Sequence, residues 1–176
     1  MTFQTIDLSS VLRRSVCELY SNLVTRPTGV AVRTEIELLV SERTGGTLTV
    51  IDFTHVGLLD YSCADEVVAK LLLRTANGFF ICRGLHEAHV DAIETALARY
   101  ELALVVEAAD GARCLLGPLG RDERLAWEAV VKLGRTDADE VADALSVEPA
   151  HASGLLETLA TRRVLMRAGP HYLRLP

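Results

Sequence analysis

The sequence has no surplus of positive charge. Its 18 Lys and Arg stand against 24 Asp and Glu, a formal net charge of −6. A protein whose main task is to grip phosphate backbone usually carries a basic footprint, and this chain as a whole does not. Cysteine is sparse and unpatterned. Cys17, Cys63, Cys82 and Cys114 include no CxxC spacing, and each lies in an apolar setting. That points to core or half-buried thiols in a reducing cytosol, not to a disulfide framework. Clusters of His and Cys at metal-ligand spacing are missing, so no metal and no other cofactor is expected. No apolar run approaches ~20 residues, and Met1-Thr-Phe-Gln-Thr-Ile-Asp7 lacks a basic region followed by an apolar stretch. The expectation is a cytoplasmic protein without a membrane span. Internal repeats are absent as well. What is present is ordinary for a globular protein: 49% hydrophobic and 24% charged residues, enough for a packed core.

The charge is unevenly shared. Residues 1–119 carry 10 basic and 15 acidic side chains, a net −5, whereas residues 120–176 carry 8 and 9, a net −1. The near-neutral C-terminal part leaves DNA binding open without favouring it.

The stretch from Thr47 to Leu73 organises the chain. Thr47 to Phe53 is β-branched and apolar and predicts a buried strand. Asp60-Tyr-Ser62 then opens a run with Val67, Val68, Leu71 and Leu72 on one helical face. Ser62 thus sits where a strand hands over to a helix, near free backbone N–H groups and the positive helix end. Before it, the pattern predicts a short helix after Asp7 or Ser9, a strand over Ser15–Val24 and a helix over Val30–Glu42, ended by Thr44-Gly-Gly46. After it come Asn77-Gly78 as a helix end, a strand over Phe79–Cys82, a helix over Glu87–Tyr100 and a strand over Leu102–Val106. An Asp110-Gly111 hairpin then leads to Ala112–Leu116. The alternation predicts an α/β fold with a central mixed sheet and crossover helices over residues 1–116. Gly117–Gly120 reads as a linker. Helices over Arg121–Leu133, Asp137–Leu145 and from Pro149 to about Arg162, with a hairpin around Ala168-Gly-Pro170, predict a small winged helix-turn-helix over residues 121–176.

The turn Asp60-Tyr-Ser-Cys-Ala-Asp-Glu66 after Val50-Ile-Asp-Phe53 resembles the STAS family, the fold of anti-sigma factor antagonists. More closely, it resembles a STAS-like domain of unknown function. Asn22-Leu-Val-Thr-Arg-Pro-Thr-Gly29 with Arg33 also fits that group, and the likeness spans roughly residues 15–107. The resemblance implies a bacterial-type regulator without catalysis of its own, whose partner is an anti-sigma-like kinase or ATPase. By position, Ser62 matches the serine that such a partner phosphorylates, and Asp60 the acidic residue before it. Tyr61 stands where the common pattern has Ser, and Cys63 where it has Gly.

Each candidate has a plainer reading. Ser62 also suits a helix cap, with Asp60 and Asp65 as flanking charges that a phosphate would repel. Cys63 at a helix start is a candidate low-pKa thiol, with small core filler the simpler role. Thr25, Arg26 and Arg33 are candidate anion or partner contacts, with structural ion pairing as the competing role for both arginines. His86 and His89 lack a third ligand. Asp52 and Asp60 lack a nucleophile and base, so no enzyme is expected. In the C-terminal part, His151, Ser153, Thr158, Arg162, Arg163 and Arg167 are candidate DNA or partner contacts. Two functions stay open: transcriptional control through protein–protein interaction, or direct DNA binding by the winged helix with the α/β part as sensor or dimerisation module. The oligomeric state is open, a dimer included.

Overall fold

The computed structural model describes residues 2–41, 47–75 and 78–176. The expected helix stop at Thr44-Gly-Gly46 and Asn77 lie outside the described residues. The chain divides into two compact units, Met1–Pro118 and Leu119–Pro176.

The first unit is α/β. Strand β1 (Thr2–Asp7) runs into helix α1 (Leu8–Ser15), followed by α2 (Arg26–Ser41) and β2 (Thr47–Asp52). A continuous helical rod comes next: α3 (Tyr61–Ala64), one π-helical stretch (Asp65–Lys70) and α4 (Leu71–Arg74). Then follow β3 (Gly78–Arg83), α5 (Glu87–Arg99), β4 (Leu104–Glu107) and β5 (Arg113–Leu116). The sheet order is β1-β2-β3-β4-β5. The first four strands pair in parallel, and β5 returns antiparallel through the Asp110-Gly111 turn.

Strands in sequential order, joined by right-handed crossovers, put their helices on one face. Packing agrees: α1 lies on α2, and α2 and α5 both lie on the π-helical stretch. Under them runs a row of register neighbours, Ile6, Ile51, Cys82 and Val106. These join Val11, Leu12, Val32, Ile36, Val67, Leu71, Ile93 and Leu97 in one core. The other sheet face carries Leu48, Ile81, Val105 and Leu115, which are buried too. Burial on both faces is why these strands read as unbroken apolar runs.

Two expectations fail here. Ser15–Val24 is not a strand: Ser15 ends α1, and residues 16–25 make only a single parallel bridge, Leu23 to Leu59. The edge position is taken by Thr2–Asp7, a short strand that pairs along its whole length with β2. The thiols also differ from expectation. Cys63 and Cys82 are buried, but Cys17 and Cys114 are exposed.

The second unit holds α6 (Arg121–Leu133), β6 (Arg135–Thr136), α7 (Ala138–Leu145), α8 (Pro149–Thr161), β7 (Leu165–Ala168) and β8 (His171–Arg174). Its small sheet is antiparallel, in the order β6-β8-β7. Asp137 caps α7 by accepting from the Asp139 and Glu140 amides, and Pro149 occupies the first turn of α8. Trp127 donates its indole N–H to the Val164 carbonyl at 3.2 Å, tying α6 to the approach to the hairpin.

Close approach of α2 to the α3 rod depends on one missing side chain. A Cβ at Gly29 would stand 3.0 Å from the Glu66 Cβ and 3.1 Å from the Cys63 Cα. Gly29→Val should therefore lower stability by about 2 kcal/mol through overpacking. Gly154, in α8, has nothing within 4 Å of the same position, so Gly154→Ala should stabilise by about 0.5–1 kcal/mol. Thermal unfolding of the two variants beside wild type checks both signs.

Candidate functional site

The carboxyl end of β2 leads through residues 53–60 into α3, and Asp60 is the pivot of that turn. Its Oδ1 accepts from the Cys63 amide at 2.7 Å and from the Ser62 hydroxyl at 2.8 Å. Its Oδ2 accepts from the Thr25 amide at 2.8 Å. Asp60, not Ser62, is therefore the N-cap of α3, and the same carboxylate holds the start of α2. Burial raises the Asp60 pKa, but the Thr25 and Cys63 amides and the Ser62 hydroxyl outweigh it and hold the carboxyl below its ordinary value. The group is a fixed anion.

Around it, two loops are stitched side by side. The Leu23 amide donates to the Leu58 carbonyl, the Asp60 amide to the Leu23 carbonyl and the Gly57 amide to the Ser21 carbonyl. The Asn22 Oδ1 accepts from the Leu58 amide at 3.0 Å. Thr25 sits at φ 74°, a left-handed conformation that costs a β-branched residue energy. The Asp60 contact and a hydroxyl bond to Thr28 at 3.2 Å stand against that cost. From behind, His89 pins the second loop. Its Nε2 donates to the Gly57 carbonyl at 2.8 Å, while Nδ1 accepts from the His86 amide at 3.3 Å. Both ring nitrogens are occupied, and the residue is buried.

The stitched loops leave large apolar side chains in solvent. Leu19 is 93% exposed, Leu58 61%, Tyr20 42% and Tyr61 36%. Tyr61 adjoins half-exposed Ser62 in the turn and its hydroxyl accepts from Arg99 Nη1 at 3.4 Å, Leu58 lies just before the turn, and Leu19 and Tyr20 precede the residues stitched to it. Cys63 faces the other way: it is fully buried and its thiol donates to the Thr25 carbonyl at 3.0 Å. Burial, with the Asp60 charge adding to it, pushes the thiol up to about 12. A reactive low-pKa thiol at this position is thereby overturned.

One turn below lies a buried ion network. Arg26 Nη1 donates to Asp65 Oδ2 at 2.7 Å and to Glu66 Oε1 at 2.6 Å. Arg33 Nε reaches Glu66 Oε2 at 3.1 Å, and its Nη1 reaches Glu37 at 2.6 Å. Lys70 Nζ stands 2.5 Å from Glu66 Oε1 and 3.3 Å from Asp65 Oδ2. Arg26 and Arg33 are thus structural ion-pair partners, and Asp65 lies in the interior beneath the turn, not on its surface. Sequence reasoning named Asp65, Arg26 and Arg33 but not Glu66 and Lys70, whose four-residue spacing was the available signal. The exposure of Leu19, Tyr20, Leu58 and Tyr61 was also missed, because the pairing of residues 21–23 with 57–60 is tertiary. Asp52 lies apart from Asp60 and pairs with Arg83 at 2.8 Å.

No protein-family model matches the chain, and no curated protein matches it. The roles of these residues therefore rest on their geometry.

In the second unit three of the candidate contacts stand beside a carboxylate. His151 lies 3.5 Å from Asp122, Arg162 lies 3.7 Å from Glu123, and Arg167 lies 2.8 Å from Glu157. Glu157 also accepts from the Tyr172 hydroxyl at 2.5 Å. Arg163 is half-buried, and burial lowers its pKa. Thr158 is exposed and bonds back to the Gly154 carbonyl at 2.9 Å, and Ser153 is half-exposed. The preceding helix presents Asp137, Asp139, Glu140 and Asp143 without a compensating Lys or Arg.

The buried network fixes a pH dependence. Burial raises both pKa values, but Arg26, Tyr100 and Lys70 outweigh it at Asp65, and Lys70, Arg26 and Arg33 at Glu66, so both titrate below the ordinary 3.8 and 4.5. The stability they supply is complete above those ordinary values and is lost as pH falls through the lower folded ones. Glu66→Gln should cost about 3 kcal/mol at pH 7, because Arg33 is left buried with one carboxylate fewer. The gap to wild type should narrow as pH drops from 5 towards 2. Urea unfolding at several pH values measures that gap.

Proposed function

We propose that this chain is a non-enzymatic cytoplasmic regulator that acts in transcriptional control through protein–protein interaction. Its first part, residues 1–116, is read as a STAS-like domain of the anti-sigma antagonist type, and residues 121–176 as a winged helix-turn-helix. The observation that carries this reading is the exposure of Leu58 and Tyr61 at the Ser62 turn, with Leu19 and Tyr20 exposed just before the residues stitched to it. Large apolar side chains in solvent next to a polar turn fit a protein partner better than a small polar ligand or a phosphate backbone.

Ser62 is the proposed switch. Its hydroxyl now donates to Asp60. A phosphate there would add about −1.5 to −2 charges, replace that donor with acceptors and face the fixed Asp60 anion. The two anions repel, and the easiest relief is for the Asp60 carboxylate to leave the Thr25 amide. Thr25, at the end of the loop that carries Leu19 and Tyr20, then loses its tether, while the Ser21, Asn22 and Leu23 bonds to residues 57–60 remain. Modification would change the docking surface without unfolding the sheet. The expected modifier and partner is an anti-sigma-like ATPase of the histidine-kinase fold, on the family resemblance.

Direct DNA binding is the second reading, favoured by the order of three helices and a terminal hairpin in residues 121–176. The carboxylates beside His151, Arg162 and Arg167, and the acidic α7, weigh against it, since phosphate would have to displace them.

Affinity capture from native lysate, scored for phosphate on Ser62, supplies the partner. Ser62→Asp should weaken that partner about tenfold, and Leu58→Asp at least as much, while Ser62→Ala stays within about threefold of wild type. If both Ser62 variants bind as wild type does, the switch fails. An electrophoretic shift titration against genomic fragments should show no sequence-selective complex at about 150 mM salt. Tight, selective, steeply salt-dependent binding would make the second reading the correct one.

A further inference from the structure

Helix α6 buries one face and leaves a second uncovered. Ala126, Trp127 and Val130 are buried in its own unit. Leu125 and Leu133 are 38% and 49% exposed, although both are large and apolar. Half-buried Ala129 lies between them, four residues from each. At 3.6 residues per turn these three form a slanting stripe on the helix surface, and Glu128 and Lys132, both exposed, run along one flank of it.

The stripe is its own complement. Read in reverse about Ala129, Leu–x3–Ala–x3–Leu is the same pattern. We propose that a second copy of this chain packs on this face, α6 against α6, antiparallel, about a two-fold axis at Ala129. Leu125 then meets the partner's Leu133, and the small Ala129 side chains let the two helices approach to about 8–10 Å. A two-fold axis perpendicular to antiparallel helices keeps like flanks on the same side. Glu128 therefore comes beside the partner's Lys132, and the contact occurs twice. This charge match selects a second copy over an unrelated apolar partner, and it selects the antiparallel pairing. One helix face three turns long buries less than the roughly 1,200 Å² of a stable specific interface, so the dimer is weak and forms by mass action. The inference is independent of the Ser62 reading.

Sedimentation equilibrium on the full chain, from about 5 to 500 μM, tests it. The apparent mass should rise from 19.2 kDa towards twice that value. Leu125→Lys should abolish the rise. Glu128→Lys should weaken association about tenfold, and the double reversal Glu128→Lys with Lys132→Glu should return it to within about threefold of wild type. All of these positions are solvent-exposed, and circular dichroism of each variant verifies that the fold is retained. A chain that stays monomeric throughout overturns the proposal. So does a dimer indifferent to Leu125→Lys, and so does a double reversal that remains as weak as the single one.

Discussion

A single carboxylate organises the first unit's carboxyl edge. Asp60 accepts from the amides that start two different segments, Thr25 before α2 and Cys63 in α3, and from the Ser62 hydroxyl between. Each bond alone is a modest, charge-assisted contact, about 1.5–3 kcal/mol. Together they hold Thr25 in a left-handed conformation that a β-branched residue does not adopt by preference. The Thr25 end of the loop that carries Leu19 and Tyr20 therefore depends on a charge next to a hydroxyl. Changing that hydroxyl is a direct way to change the loop.

The ion network beneath makes the arrangement rigid. Arg26 bridges Asp65 and Glu66, Arg33 links Glu66 to Glu37, and Lys70 closes the set. The π-helical stretch Asp65–Lys70 carries both acids and the lysine. Gly29 lets α2 come near enough for Arg26 and Arg33 to reach them. Buried ion pairs are weak evidence for added stability, because desolvation offsets much of the attraction. Their stronger effect here is positional. The α2 start and the α3 rod cannot slide past one another without leaving a buried charge unpaired.

Much of this order was legible in the residues. Apolar spacing marked α2, the α3 rod and α5, and Asp137 and Pro149 marked helix starts in the second unit. Local chemistry encodes those features. The misplaced strand at Ser15–Val24 shows the limit. Its apolar residues resemble a strand, yet what decides its state is where Asn22, Leu23 and Thr25 find hydrogen-bond partners, some 35 residues away in the turn before α3. Thr2–Asp7 was missed for the same kind of reason, since its partner is β2 and little in its own composition marks an edge strand. At the site, Ser62 and Asp60 were visible as a turn motif, but the division of labour was not. Asp60 is the cap, and Ser62 is its donor. The side-by-side placing of residues 21–23 and 57–60 is visible only in the fold.

The central claim is that the state of Ser62 reaches Thr25, at the start of α2, through the Asp60 carboxylate. Amide hydrogen exchange on Ser62→Asp beside wild type tests it most directly. Faster exchange is expected at Thr25 and Cys63, whose amides donate to Asp60, with Leu23, which donates to the Leu58 carbonyl, and the amides of β2 unchanged. Equal exchange at Thr25 and Cys63 in the two proteins would contradict it.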